Sequence, residues 1–455
     1  MRLATFILIL LALPGAVRAA ESDFSPLPPP SLQRSNTPSL QQPRPPSLQS
    51  TNALTLSVED VEAVVLRDNP SLKAARANWE AMKQRVPQAR AWEDARLGFE
   101  TIAGRFVSIP PNSFTDQKLV AEQAIPLSGK NRFRGEAAEA EAAAAFGEFR
   151  RRELDLITRA RTLYYRLANA YQQLQLNDAN AGLLQQFAQI SRRKYEAGTT
   201  SESDVLLAET DLAKLHEARA DILRQISDAE SQLNVLLNRP AQSPLARPAD
   251  LRPATLDLQL APLQILALTN RPELFMAAKK IEAAEARLGA ARREKIPDPS
   301  LMLEASRYND SGQAVSELDV GASINLPWFN RRKYNAAIEE ARQMKVASEF
   351  ELESAQKETF GLVRDAFSKV QTYHHHVELF RDRLIPLARQ NVTATRSAYE
   401  TDKAGFLNLI DAQRTLQEAE SMYWNHLTEY LTGIAELESV LGADPRAASE
   451  PLHQH

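Results

Sequence analysis

The chain has 455 residues, a formal charge of −4, no cysteine and only 15 glycines, with Ala, Glu, Leu, Gln and Arg prominent. This excludes disulfides and thiolate metal sites, supplies no basic block for nucleic acid, and favours long helices over the glycine-rich loops of an α/β enzyme.

Residues 1–19 read as a secretory signal: Arg2, the apolar run from Phe6 to Leu13, a Pro14-Gly15 break and the small-x-small site Val17-Arg18-Ala19. Removing it takes away two arginines and no acid, so the mature chain carries −6. The apolar run is too short to span a bilayer, which needs about 20 residues, and no later stretch of that length is free of charges. Without a cysteine after the signal, an N-terminal lipid anchor is not expected. Residues 20–55, crowded with Pro, Ser, Gln and Asn, form a leader expected to be disordered.

Folding is expected to start at Ser57, an N-cap with Asp60 three residues on, giving a helix through Leu66; Pro70 then opens a second helix to about Ala91. Residues 97–107 and 114–127 lose the helical period around Gly98, Gly104 and Pro110-Pro111-Asn112 and read as a hairpin. From Asn131 to about Ala197 there is no proline, which predicts a rod on the order of 100 Å long. A returning helix carries Val205, Ala208, Leu212, Leu215, Ile222, Ile226, Ala229, Leu233 and Leu236 at coiled-coil spacing.

The same series then recurs about 202 residues later. Asn69-Pro70-Ser71-Leu72 matches Arg271-Pro272-Glu273-Leu274, and Ile125-Pro126 matches Leu326-Pro327. Tyr195-Glu196 with Asp204-Val205-Leu206 matches Tyr399-Glu400 with Asn408-Leu409-Ile410. A first repeat over 56–240, a linker over 241–259, a second repeat over 260–442 and a disordered tail over 443–455 follow. The second hairpin, 300–308 and 315–326, ends in a strand where Leu318, Val320, Ala322, Ile324 and Leu326 alternate with Asp319, Gly321, Ser323 and Asn325. That pattern fits a soluble sheet or a lipid-facing strand of a water-filled barrel. Its rod runs from Arg331 to about Thr401, interrupted only by Gly361 and Pro386.

Four strands cannot close a barrel in lipid, so several chains must share one; three would give 12 strands. The fold expected is mainly α with a small β part, a duplicated helix-hairpin-long helix pair unit. The residues by themselves point to an exported, oligomeric barrel continued by a long helical tube.

Over Ser57 to about Gly442 the chain resembles the TolC-like outer membrane efflux protein family. The resemblance rests on the two turn motifs, Tyr195-Glu196-Ala197-Gly198 with Ser203-Asp204-Val205-Leu206 and Tyr399-Glu400 with Asn408 to Gln413, and on Arg271 to Leu274. Val86 to Trp92, Leu326 to Arg332 and the Leu233 to Pro240 run look like the branch serving heavy-metal efflux pumps of the resistance-nodulation-division class. The resemblance implies a homotrimer in the outer membrane of a Gram-negative cell, a trimeric 12-strand outer membrane β-barrel continued by an α-helical coiled-coil periplasmic tunnel. It would extend into the periplasm and act as a passive conduit docked to a periplasmic adaptor and an inner membrane pump, with no catalytic residue, cofactor or nucleic-acid partner. Export of organic drugs or secreted polypeptide by the same fold stays open, as does a periplasmic coiled-coil adaptor or scaffold.

By resemblance, Gly198, Thr199, Thr200, Ser201, Ala404 and Gly405 are the adaptor-docking tip, and Asp411, Asn408 and Asp204 the pore gate. The tip residues also read simply as helix-reversing turns, with glycine supplying a left-handed C-cap and Ser or Thr the next N-cap. Arg150-Arg151-Arg152 and Arg331-Arg332-Lys333 suit either a barrel rim or a solvated surface. His374-His375-His376 cannot converge on one ion within one helix, because successive helical residues point about 100° apart. No metal ligand set is therefore expected. His426, standing where the first repeat has Ile222, reads as a packed histidine.

Overall fold

A computed structural model describes residues 55–101, 116–310, 313–401 and 403–448. The leader through residue 54 and the first expected hairpin from 102 to 115 lie outside the described residues, as do the tip of the second hairpin and the end of the tail.

The duplication is visible element by element. Helix α1 (Val58–Asp68) and helix α5 (Leu260–Asn270) have 11 residues each. They hand over to α2 (Pro70–Arg90) and α6 (Pro272–Arg293) through Asn69 and Arg271, whose backbone angles agree within a few degrees. Proline explains the shared kink: it opens a helix readily but forces the residue before it into extended conformation. The chemistry of the two junctions differs. The Asn69 side chain accepts from the Ser71 N–H at 2.9 Å and donates to the Leu236 carbonyl at 2.9 Å, whereas Arg271 reaches out to Thr359 at 3.0 Å. Ser57 caps α1 as expected, its Oγ accepting from the Asp60 N–H at 3.1 Å and donating back to the Asp60 carboxylate at 2.8 Å.

The strands β1 (Arg96–Thr101), β2 (Gln117–Ala124), β3 (Pro299–Asp310) and β4 (Gln313–Ile324) form one antiparallel sheet in chain order. The β2–β3 pairing, from Gln117 opposite Arg307 to Ala124 opposite Ser300, joins the two repeats. Both outgoing strands stop before the expected ends at 127 and 326, because Pro126 and Pro327 lack the N–H a ladder needs. At Pro327 the chain turns into a short 3-10 segment, leaving Trp328 and Phe329 exposed.

Register makes the sheet two-faced. Phe99 lies opposite Leu119, Leu119 opposite Ala305 and Ala305 opposite Leu318; one step along, Leu97, Ala121, Leu303 and Val320 form a second row. Leu97, Phe99, Leu318 and Val320 are between 64% and 79% exposed, so this apolar face has no packing partner among the described residues. The opposite face places Lys118 Nζ 2.9 Å from Glu304 and carries Asp319 directly across from Glu304.

Two rods follow. Helix α3 (Lys130–Glu196) runs 67 residues, about 100 Å at 1.5 Å per residue. Its counterpart is α7 (Arg331–Leu379) continued by α8 (Ile385–Glu400). Pro386 does not break this rod. A π turn over Phe380–Leu384, with the Ile385 N–H bonded to the Phe380 carbonyl, widens the helix immediately before the proline. The wider turn makes room where the proline ring would otherwise clash and a donor is missing.

The returning helices α4 (Glu202–Leu236) and α9 (Phe406–Leu441) complete the repeats. Of the expected first seam all but Leu212 and Ile222 are buried, and those two are half-buried. Helix α3 packs against α2, α4, α6 and α9, and α7 against α5, α6 and α9. Across α1, α3 and α9, Arg161 is held by Glu62 at 2.5 Å and by Glu438. Arg150 and Arg151 pair along their own helix with Glu148, Glu153 and Asp155. Beyond Gly442 the tail is not featureless, since Pro445–Ala448 makes a 3-10 turn started by the Asp444 carboxylate accepting from the Arg446 N–H at 2.8 Å. Among the described residues no helix is long and apolar enough to cross a membrane.

Candidate functional site at the helical tip

The two turn motifs, 204 residues apart in sequence, meet in space at the end of the rods farthest from the sheet. Leu184, Phe187, Ala208, Leu215, Tyr399, Phe406, Leu409 and Ile410 bury one cluster that ties all four tip helices together. Lys194 fastens the turns to each other: its ammonium donates to the Tyr399 carbonyl at 2.9 Å and lies 4.3 Å above the Tyr399 ring.

The turns share one closure and differ in one residue. After α3, Gly198 is left-handed at φ 74°, and the Thr199 N–H returns to the Lys194 carbonyl at 2.9 Å. After α8, the Lys403 N–H returns to the Ala398 carbonyl at 2.8 Å, the same six-residue closure of a helix C-terminus. Gly405 is not the left-handed residue of its turn. At φ −76° and ψ 158° it is the extended N-cap of α9, so only Gly198 follows the expected glycine C-cap. Ser201 occupies the N-cap of α4 without a side-chain capping bond; instead the Thr200 hydroxyl donates to the Asp204 carboxylate. Gly198, Thr199, Ser201 and Gly405 are exposed, while Thr200 and Ala404 are half-buried.

The three residues singled out for the gate are not equivalent. Asp204 is half-buried and engaged by Thr200. Asn408 is exposed on the first turn of α9, its N–H on the Gly405 carbonyl at 3.2 Å. The Asp411 side chain is 59% exposed and lies 3.4 Å from Arg414 one turn on.

That arginine leads to a contact sequence reasoning missed. Arg414 crosses from α9 to α4, where its Nε (3.1 Å) and Nη2 (2.5 Å) both donate to Asp211 Oδ2, while Lys214 holds Oδ1 at 3.2 Å. Asp211 is only 7% exposed. A signal was present: Ala208, Asp211 and Leu215 keep 3-4 spacing, so an acid stands on the buried seam and requires a cation from the facing helix. Nearby, the Gln413 amide donates to Asn180 Oδ1 at 2.9 Å, both residues buried. A cleft of about 270 Å³ opens between Asn180, Asp211, Lys214 and Arg414, where the two helix pairs adjoin. The two repeats are thus latched at the tip by a charge-assisted contact on buried Asp211, in addition to the Lys194–Tyr399 contact.

The family model described as outer membrane efflux protein matches residues 63–239 and again residues 263–443, one copy per repeat. The chain belongs to the outer membrane efflux protein family. That family places the chain in the outer membrane. It is 26% identical over 257 residues to the solvent efflux pump outer membrane protein SrpC of Pseudomonas putida, covering 54% of this chain and 53% of that relative. The chain thus spans about half the length of that curated relative. To the cobalt-zinc-cadmium resistance protein CzcC of Cupriavidus metallidurans it is 23% identical over 392 residues, covering 85% of this chain and 90% of that one. Among solved structures, CusC superposes with a TM-score of 0.73 at 20% identity, over 89% of this chain and 99% of that chain. The efflux-family fold accounts for the duplicated rods, the four-stranded sheet and the paired turns together.

Proposed function

We propose that this efflux-family chain is one of three copies closing a 12-stranded barrel, and that the assembly conducts metal cations from a periplasmic adaptor and inner membrane pump to the exterior. The observation that carries the channel reading is the sheet: among the described residues it has an apolar face with nothing packed on it, a charged face behind it, and unpaired edges at β1 and β4. Unpaired backbone in lipid costs several kcal/mol per group, so those edges require neighbours. Exposed Trp328 and Phe329 just past β4 suit the aromatic belt at a membrane interface.

The metal cargo is supported by the resemblance of Val86 to Trp92, Leu326 to Arg332 and Leu233 to Pro240 to the heavy-metal branch, beside a match to CzcC that runs through both repeats. Gly198, Thr199, Thr200, Ser201, Ala404 and Gly405 form the adaptor-facing surface. Asp411, repeated by the threefold assembly, draws cations to the mouth by raising their local concentration. Arg414 moderates that field, and Asn408 adds no charge to it. Deleting the gene is expected to lower tolerance to zinc, cobalt, cadmium or copper. Unchanged metal tolerance with a defect in drug tolerance would overturn the cargo, and recovery of the protein solely in the soluble periplasm would overturn the channel.

A further inference from the structure

The histidines that cannot meet within one helix find a partner on another. His376, on the last turn of α7, stacks obliquely on His426 of α9 with ring centroids 4.7 Å apart and planes at 54°. Tyr373 flanks both rings, at 6.0 Å from His376 and 5.9 Å from His426, and Phe380 closes the other side of His426 at 5.1 Å. His376 Nδ1 is buried and has no hydrogen-bond partner among the described residues. Such an atom carries a desolvation cost that nothing among the described residues offsets.

We propose that His376 and His426 form a two-imidazole site for a borderline divalent cation, completed by water, that braces α7 against α9 beside the π turn. Centroids 4.7 Å apart leave room for one ion to meet a nitrogen of each ring at about 2.0–2.1 Å. Imidazole sites generally bind Cu(II) more tightly than Ni(II) or Zn(II). Imidazole ligates through a neutral ring nitrogen, so binding should weaken as pH falls. The neighbouring acids are committed elsewhere: Glu378 lies 3.7 Å from His374, and Glu429 lies 3.9 Å from Lys369. No cluster of three or more His, Asp or Glu suited to a metal occurs among the described residues, so the site has two protein ligands. The first repeat has Ile222 where His426 stands, so this brace belongs to the second repeat alone.

The site does not depend on what the channel exports, because it is tested on the purified full-length protein without pump or adaptor. Titrating CuCl2, NiCl2 and ZnCl2 by calorimetry should give one saturable site per chain, with Cu(II) tightest. His376→Ala and His426→Ile should each weaken it at least about tenfold, with no further loss on combining them. His426→Ile installs the residue the first repeat already packs at this position, and exposed His375→Ala should leave binding unchanged. Electron paramagnetic resonance of the Cu(II) form should show two coordinated imidazole nitrogens, lost in either variant. The absence of saturable binding at concentrations on the order of 100 μM, or binding that survives both variants, would overturn the proposal.

Discussion

Replacing Arg414 by alanine tests whether the two repeats are latched at the tip. Asp211 is 7% exposed, and one of its oxygens accepts two bonds from Arg414, at 3.1 and 2.5 Å. Removing one partner of a fully buried pair typically costs 3–5 kcal/mol. Here the loss is smaller, because the Arg414 side chain is 42% exposed to screening solvent and Lys214 stays 3.2 Å from the other oxygen. Those two corrections bring the expected cost to about 1–2 kcal/mol. A local opening that much easier raises the open population about 5- to 30-fold. The assay is hydrogen exchange by mass spectrometry on the folded assembly in detergent. Amides of residues 205–218 and 406–417 should exchange faster by that factor, while those at the base of the rods should not change. Asp211→Asn combined with Arg414→Ala should cost less than the two single changes added together. An acceleration below about twofold, or one spread evenly along the rods, would refute the latch.

Other expectations follow from contacts along the chain. Burial alone would raise the Asp298 carboxyl, but Lys130 at 2.8 Å and the Ser128 N–H at 2.7 Å outweigh it and hold it below its ordinary value. A lowered folded value means the contribution is present above about pH 4 and disappears as pH falls through it. Asp298→Asn should therefore be less stable than the parent at neutral pH and converge with it in acid, and an equal gap at both ends of a thermal-melt series would count against this. Val320→Arg on the apolar face should cost about 2–4 kcal/mol in lipid and abolish the heat-modifiable band in membrane fractions, whereas Asp319→Asn on the charged face should keep it. Burial works against the Arg161 charge, but Glu62 and Glu438 outweigh it, while burial holds the Glu438 carboxyl above its ordinary value. Arg161→Leu strands those two acids and should cost about 2–4 kcal/mol in a melting assay, with partial recovery on adding Glu438→Gln. Asp411→Ala should raise conductance or lessen block by multivalent cations in planar bilayers, and a channel unchanged in both would remove Asp411 from the gate.

What could be read from residues alone divides along a physical line. Patterns that repeat within a few residues were legible: the Ser57 cap, the proline-opened α2 and α6, the strict alternation of β4 and the seam of α4. Each is dictated by local geometry, by 3.6 or 2 residues per period, or by a missing N–H. Contacts made across the duplication were not, because nothing local to Arg414 points to Asp211, and nothing in the His374-His375-His376 run points to His426. The one hint in each case was a residue unsuited to its seam, an acid at 211 and an imidazole at 426. Pro386 shows the limit from the other side. A proline deep in a helical stretch reads as a break, yet a single five-residue π turn lets the rod continue. Gly405 is the same lesson at a turn, since the residue type suggested a left-handed position and the neighbouring turn chemistry left it extended.

The order of the sheet bears on stoichiometry. Because β1 to β4 alternate in direction, β4 of one copy always meets β1 of the next antiparallel, whatever the number of copies placed around the axis. Every such ring has an even strand count and no mismatched seam, so strand pairing alone would accept two, three or more chains. The number of copies is then a matter of side-chain packing between neighbours, along the rods and inside the barrel, rather than of the backbone ladder.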